Sequence, residues 1–556
     1  MTATYVQANR TTTLFMNGSD FTVVLDGGSF TTANDAIAMS NAFNTTVVSG
    51  LVASESGAAI RIVLGASENR VTVDEGGMLV MGGTNGGSAL ISEGTDTTIA
   101  NAGVISGIYG VAATKDSTDF DLHNTGRIFG THLDGVNIES TNADITNTGD
   151  IIGDRYGVGA GVFGNLERFS LSNAGTISGA TAVVIDQGTD HQVQNSGTLI
   201  GGAFSFFGNN KGTLELENSG QMMGSAVFGT GDDTVTNTGT LSGEVELRNG
   251  GDRFNNFGGT VTGNLLMGEG VDIYDGQGGG IVGGVVFGGP GSDVYWLDMP
   301  TTRISENPNE GTDSVLSFFD FRLGANFENL ALQGTGDLRG IGNTERNLIV
   351  GNTGNNLLDG GRNNDTMTGG DGDDIYHVRA PGDTVNENAD EGIDTVRAFR
   401  SYLLTDNVEN LHLQTTVAIN GIGNEEGNEI VGNMADNVII GREGNDLLRG
   451  QGGADTFVFD RGLNATTNVD TILDFESGVD VLKLKGSVFG FPAAGNLPSG
   501  SLRFDTEAQD LNDRIIYDQD TGRMWFDGNG AAAGGQTLFA ILAPDTALRA
   551  ADFEVF

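Results

Sequence analysis

The residues best suited to chemistry are aspartates that follow glycines and stand two positions ahead of an apolar side chain. GTGDDTV (229–235), NGGDRF (249–254), GEGVDIY (268–274) and GGPGSDVYW (288–296) carry Asp233, Asp252, Asp272 and Asp293, once per coil-sized interval. Farther on, the interval becomes one nonamer. GNTERNLIV, GNTGNNLLD, GGRNNDTMT and GGDGDDIYH start at 342, 351, 360 and 369; GNEEGNEIV, GNMADNVII, GREGNDLLR and GQGGADTFV start at 423, 432, 441 and 450. Their acid or amide position reads Asn347, Asn356, Asp365 and Asp374, then Asn428, Asn437, Asp446 and Asp455. Glycine lets a loop fold back until its carbonyls face one point, and aspartate adds charged oxygen there. A hard cation such as calcium takes about six to eight such oxygens. Each segment therefore reads as a metal loop running into a short strand. The candidate metal positions are Asp233, Asp252 and Asp272, then Gly288, Gly291 and Asp293, then Gly360 and Asp365, then Gly369, Gly372 and Asp374. In the second set they are Gly441, Gly444 and Asp446, with Gly453 and Asp455. GNTERNLIV and GNEEGNEIV lack the acid and the later glycine, so they are expected to bind weakly or only complete a coil.

Loops spaced this regularly need a scaffold that repeats with them. The pattern N-x-G-x-apolar-x-G occurs at 101, 124, 147, 173, 195, 218 and 237, with an eighth copy at 256 that carries one extra glycine. Asn and Gly tolerate left-handed turns, and Asn side chains can stack between equivalent turns. The apolar member is Ile105, Ile128, Ile151, Ile177, Leu199, Met222, Leu241 or Val261. At period two it is expected to point inward. A coil of about two dozen residues stacked on its copies predicts an all-β parallel β-helix. It resembles the right-handed β-helix of bacterial adhesins and polysaccharide lyases.

The nonamer sets are themselves copies of a larger unit. NEGTDSV (309–315) returns as DEGIDTV (390–396), FENLAL (327–332) as VENLHL (408–413), and GIGN at 340 as GIGN at 421. All three pairs share one offset, equal to nine nonamers, so the duplication keeps the coil in phase. The expected organisation is a parallel β-helix over 1–228 and a metal-binding β-helix/β-roll over 229–460. The latter contains tandem copies at 306–380 and 387–461, and a β-rich cap over 461–556 follows. The solenoid is expected to be continuous, tightening from coils of about 23 residues to about 18.

Composition narrows the function classes. Asp+Glu number 73 against 27 Lys+Arg, a formal charge of -46, so nothing here would neutralise phosphates and a nucleic-acid partner is excluded. That much like charge destabilises a compact state unless cations are bound. Cysteine is absent, which removes disulfides and thiolate zinc sites. MTATYVQANRTTTLFMNG shows no basic region before an apolar core, and no apolar run reaches ~18 residues, so neither a secretory leader nor a membrane span is expected.

The nonamers match GGxGxDxUx, and GGPGSDVYW and GGDGDDIYH match it at every position. They resemble the calcium-binding β-roll of RTX (repeats-in-toxin) proteins. The resemblance implies several calcium ions and a coil of two nonamers. Loops two nonamers apart then stack, pairing Asp365 with Asn347, Asp374 with Asn356, Asp446 with Asn428 and Asp455 with Asn437. DTILDFESGVDVLKL (470–484), IIYDQDTGRMWFDGNG (515–530) and the terminal LRAADFEVF resemble the cap and export signal of RTX proteins secreted by the type I route. The resemblance covers 290–556 well and the first half only as a generic β-helix.

No HExxH and no nucleophile elbow occur. His132 with Asp134, and Asp154, Arg155 and Tyr156, could mark a sugar site like that of mannuronan epimerases, but the Asp-Pro-His signature of those enzymes is absent. No catalytic residue and no organic cofactor site is assigned. The reading that results is a secreted, calcium-dependent structural protein that self-assembles into an extracellular layer, filament or matrix on a bacterial surface, and it resembles RTX proteins of the surface-layer or adhesin type. It would be extracellular or at the cell surface, with copies of itself and a cell-surface polysaccharide as partners. A carbohydrate-active β-helix enzyme with RTX export modules, or a monomeric adhesin, stands as the alternative.

Overall fold

Alternation at period two is what turns these segments into strands. In Thr118–Asn124, Phe120 and Leu122 are buried while Asp121 and His123 lie on the outer face. A computed structural model describes residues 3–6, 12–16, 21–24, 29–83, 87–164, 166–530, 532 and 534–556. Residues 1–2, 7–11 and 17–18, within the stretch on which the leader reading rests, lie outside the described residues. Among the described residues the regular secondary structure is all strand, apart from one 3-10 turn at Ala550–Asp552. It divides into two compact units, 1–313 and 314–556.

The first unit is a parallel β-solenoid in which each strand pairs with its equivalent one coil later. Asn101, Asn124, Asn147, Asn173, Asn195, Asn218 and Asn237 are in register from strand to strand. In a second sheet Ile105, Ile128, Ile151, Ile177, Leu199, Met222, Leu241 and Val261 stand in one column. All eight are buried, as the alternation predicts.

The asparagines form a ladder through the corner of the coil. Each Nδ2 donates to the Oδ1 of the next asparagine: 2.7 Å from Asn101 to Asn124, from Asn124 to Asn147 and from Asn147 to Asn173. The ladder continues at 2.8–2.9 Å to Asn195, Asn218, Asn237 and Asn256. An amide carries both donor and acceptor, so each rung from Asn124 to Asn237 serves both neighbours. Later coils are shorter. Val235 pairs with Phe254, then Tyr274, then Tyr295.

In the second unit, Ile349 pairs with Met367 and Leu358 with Tyr376, a coil of two nonamers. Each nonamer row is preceded by a tighter turn. Val315 pairs with Leu330 and Val396 with Leu411, a shorter step than the nonamer coil, at positions related by the duplication (315 to 396). The chain closes with an antiparallel meander of Ile515–Asp518, Arg523–Asp527 and Gln536–Leu542. Gln536–Leu542 adds in parallel to Asp470–Ile472, and Phe553–Val555 to Val481–Leu484.

Removing one rung strands a donor on one side and an acceptor on the other. Asn147→Ala is expected to destabilise the first unit by about 1–3 kcal/mol, read as a lower denaturant midpoint.

Candidate metal centres

Along a second corner of the coil the rungs are acids. The N–H of Asp233 donates to Asp252 Oδ1 at 2.7 Å, Asp252 to Asp272 at 2.7 Å, Asp272 to Asp293 at 2.8 Å and Asp293 to Asp313 at 2.9 Å. The geometry recurs in the nonamer rows. Asn347 donates to Asp365 at 2.8 Å and Asp365 to Asp383 at 3.1 Å. Asn356 donates to Asp374 at 2.5 Å and Asp374 to Asp394 at 2.8 Å. Asn428 and Asn437 donate to Asp446 and Asp455, which in turn donate to Asp470 and Asp480. The four expected stacks of loops are thus held by backbone-to-carboxylate bonds.

These bonds use only one oxygen of each acid. Oδ2 of Asp233, Asp252, Asp272, Asp293, Asp365, Asp374 and Asp446 is buried and accepts no hydrogen bond. None of these aspartates, nor Asp455, pairs with Lys or Arg among the described residues. Space is kept for that second oxygen. A Cβ at Gly288, Gly360, Gly369 or Gly441 would fall on the Oδ2 of Asp293, Asp365, Asp374 or Asp446 respectively. Gly372 and Gly444 turn the loop at φ of 123° and 111°, and Gly453 at 114°, angles that side-chain-bearing residues rarely adopt. Gly291, the corresponding glycine before Asp293, packs on the carbonyl of Gly270. Unpaired buried carboxylate oxygens in a glycine cradle are what a hard divalent cation requires and what a folded protein otherwise avoids.

The asparagines that begin each nonamer row do a different job. Asn347 Nδ2 donates to the carbonyl of Phe327 at 2.9 Å, Asn428 to Val408 at 3.0 Å and Asn437 to Ile419 at 2.8 Å. Asn356 Nδ2 donates to Asn352 Oδ1 at 2.9 Å. A carboxylate could not make these bonds, because it has no proton to give. Asn at these four positions starts the row; Asp continues it.

Burial pushes the acids up strongly: Asp233 to about 7, Asp252 and Asp293 to about 8 and Asp272 to about 6. Asp365 and Asp374 rise to about 7, and Asp446 and Asp455 to about 6, again through burial. Asp470 is raised well above the carboxylate range by burial and by the charge of Asp446.

Asp313, Asp383, Asp394, Asp470 and Asp480 were not among the sequence candidates; Asp394, Asp470 and Asp480 lie outside the nonamer phase, whereas Asp383 continues it from Asp374 and Asp313 keeps the coil spacing from Asp293. Their signal was present all the same: each stands two residues before a buried apolar side chain, at Val315, Val385, Val396, Ile472 and Leu482. Asp383 and Asp480 end their rows with both oxygens engaged; Oδ2 of Asp383 accepts from Arg379 and Ala380, and Oδ2 of Asp480 from Glu476.

The other polar cluster is internally satisfied. Asp134 is fully buried and gripped by Arg155, with Nε to Oδ1 at 2.8 Å and Nη2 to Oδ2 at 2.6 Å. The guanidinium lies 4.7 Å over the Tyr156 ring and 5.4 Å over Phe163, while His132 is exposed and meets the Thr131 hydroxyl at 3.1 Å.

The RTX calcium-binding nonapeptide repeat family matches in four copies, at residues 341–376 and 423–464. Two curated relatives from Rhizobium meliloti (strain 1021) share a 64-residue stretch with this chain. The endo-1,3-1,4-beta-glycanase ExsH is 43% identical there and EglC, of the same description, 41%. The match covers 12% of this chain and 14% of each relative. With nonapeptide repeats set on a parallel β-solenoid, the chain fits an RTX β-roll protein, and those repeats are calcium-binding repeats.

Because folding raises these carboxyl pKa values, the folded chain holds protons that the unfolded chain releases. Stability without metal must therefore fall as pH rises from about 4, through the folded values near 6–8. Thermal unfolding in chelator should show this slope, and saturating calcium should reverse it. Asp252→Asn, which removes one buried charge, should raise the midpoint of the chelated protein at pH ~8 and shrink the gain from calcium.

Proposed function

We propose that this is a secreted, calcium-dependent structural protein that assembles with copies of itself into an extracellular layer, filament or matrix on a bacterial surface. The observation that carries the reading is the row of buried carboxylate oxygens without protein donors. It ties the ordered state to a cation that extracellular modules bind at roughly 10⁻⁴–10⁻³ M. A chain of net charge -46 in which those acids are unfilled favours the unfolded form, which suits export before folding. The C-terminal segment serves as the type I export signal and afterwards as the closing strand, Phe553–Val555.

Assembly is supported by repetition and by the outer face. Ile200 and Met223 stand in register on neighbouring strands, 39% and 45% exposed. A cell-surface polysaccharide is a second partner for such a repetitive face. A structural role is further supported by the Arg155 clamp on Asp134, which closes the best candidate for a sugar-active acid. The two glycanases share too short a stretch to bring their activity here.

Electron microscopy of purified protein in chelator, then after adding ~1 mM calcium, tests the assignment. Ordered sheets or filaments are expected only with calcium. Folded particles that stay dispersed at every protein concentration would refute assembly and leave adhesion or polysaccharide turnover to be assayed.

A further inference from the structure

Among the described residues, two places gather three carboxylates around one point, and in both two of the three partners come from outside the nonapeptide. Carboxylate oxygens of Asp374, Glu387 and Asp394 lie within 4.8 Å of one another, as do those of Asp293, Glu306 and Asp313. Oxygens bound to one calcium ion at about 2.3–2.6 Å can be at most about 5 Å apart, so each set fits around a single ion. The sets are copies: the nine-nonamer offset carries 293, 306 and 313 onto 374, 387 and 394.

The later copy shows the preparation for a ligand most clearly. Asp374 is 1% exposed and its Oδ2 has no donor; neither oxygen of Glu387 accepts a hydrogen bond of normal geometry. The Tyr376 hydroxyl, fully buried, also lacks a partner. A Cβ at Gly369 would fall on both Asp374 Oδ2 and that hydroxyl, so the glycine keeps the space between them open. Asp374, Glu387 and Asp394 pair with no Lys or Arg among the described residues. In the earlier copy the Tyr295 hydroxyl donates to Glu306 Oε1, and Gly288 keeps the same space. The pattern is not carried forward a third time, because one further offset puts Asn468 and Phe475 in the places of Glu387 and Asp394.

We propose that Asp374, Glu387 and Asp394, and likewise Asp293, Glu306 and Asp313, each hold a divalent cation more tightly than the nonapeptide loops do. The inference rests on the calcium reading above and adds to it a second class of site. Affinity of oxygen sites for calcium rises with the number of charged ligands and with rigidity. These sites bring three carboxylates to one point, and each includes the acid of a loop matching the nonapeptide at every position. They fill first as calcium rises.

The test is a calorimetric calcium titration of the full chain, with circular dichroism at saturating calcium to verify folding. The wild type should show a tight class of two ions, one per cluster, separate from a weaker class. Glu387→Gln should remove one tight ion. Glu306→Gln with Glu387→Gln should remove both, weakening the tight class by about tenfold or more while the weaker class persists. Asp446→Asn, in a loop without a third carboxylate, should affect only the weaker class. A double variant that keeps both tight ions would overturn the assignment, as would a wild type that titrates as one class. If the double variant fails to fold, each single substitution decides for its own cluster, because the other cluster remains intact. A wild type that takes up no calcium would refute the underlying calcium reading itself.

Discussion

A backbone N–H donated to a buried aspartate one coil away underlies every other feature of the metal-binding coils. It sets the vertical register of the loops and satisfies a main-chain donor at every coil. Where the acceptor is an acid rather than an amide, its second oxygen faces the loop with no proton to give. Asp252 shows the tension: Oδ1 is bonded to Asp233, Oδ2 is bonded to nothing, and burial drives its affinity for a proton up. A cation relieves all such rungs together. A proton relieves them one at a time, and only at a pH below the folded pKa values.

The asparagine ladder is the neutral version of the same device. Asn124 receives from Asn101 and gives to Asn147, so the column from Asn101 to Asn256 needs no ion. The two ladders overlap in the coils that contain Asp233 and Asn237, where one corner is self-sufficient and the other is not. Replacing amide by carboxylate at a stacked corner converts an unconditional scaffold into one whose stability follows calcium. The asparagines at the head of each nonamer row keep the amide because they must donate, as Asn428 does to the carbonyl of Val408.

The closing segment takes part in this arrangement. Asp470 and Asp480 receive the N–H groups of Asp446 and Asp455, and Asp474 receives those of Gly450 and Gln451 at 2.9 Å. The cap therefore finishes two acid rows as well as covering apolar side chains such as Phe457 and Phe459. Phe526 and Phe539 of its antiparallel meander pack edge to face on Phe489, which follows Val481–Leu484, and supply a conventional core where the repeats end.

Much of the fold was legible because a solenoid repeats its reasons. Inward positions such as Ile151 and Met367 follow from period-two alternation, and the stacking of Asp365 on Asn347 was implied by the resemblance of the nonamers to the RTX β-roll. The Asp-x-apolar rule extended to Asp313, at the coil spacing from Asp293, and to Asp394 and Asp470, which insertions of irregular length took out of phase. What sequence could not decide is which oxygen stays unpaired. Glu387 is an ordinary acid in VNENADEG until the chain folds back and sets it beside Asp374 and Asp394. Asp134 is the opposite case, a candidate functional acid that Arg155 on the next coil closes off. Periodicity, the inward face and the places where charge meets glycine are properties of neighbouring residues, so the chain's spelling was enough to set them. Which carboxylates are satisfied and which converge was left to the folded chain, because that depends on partners brought together from different coils.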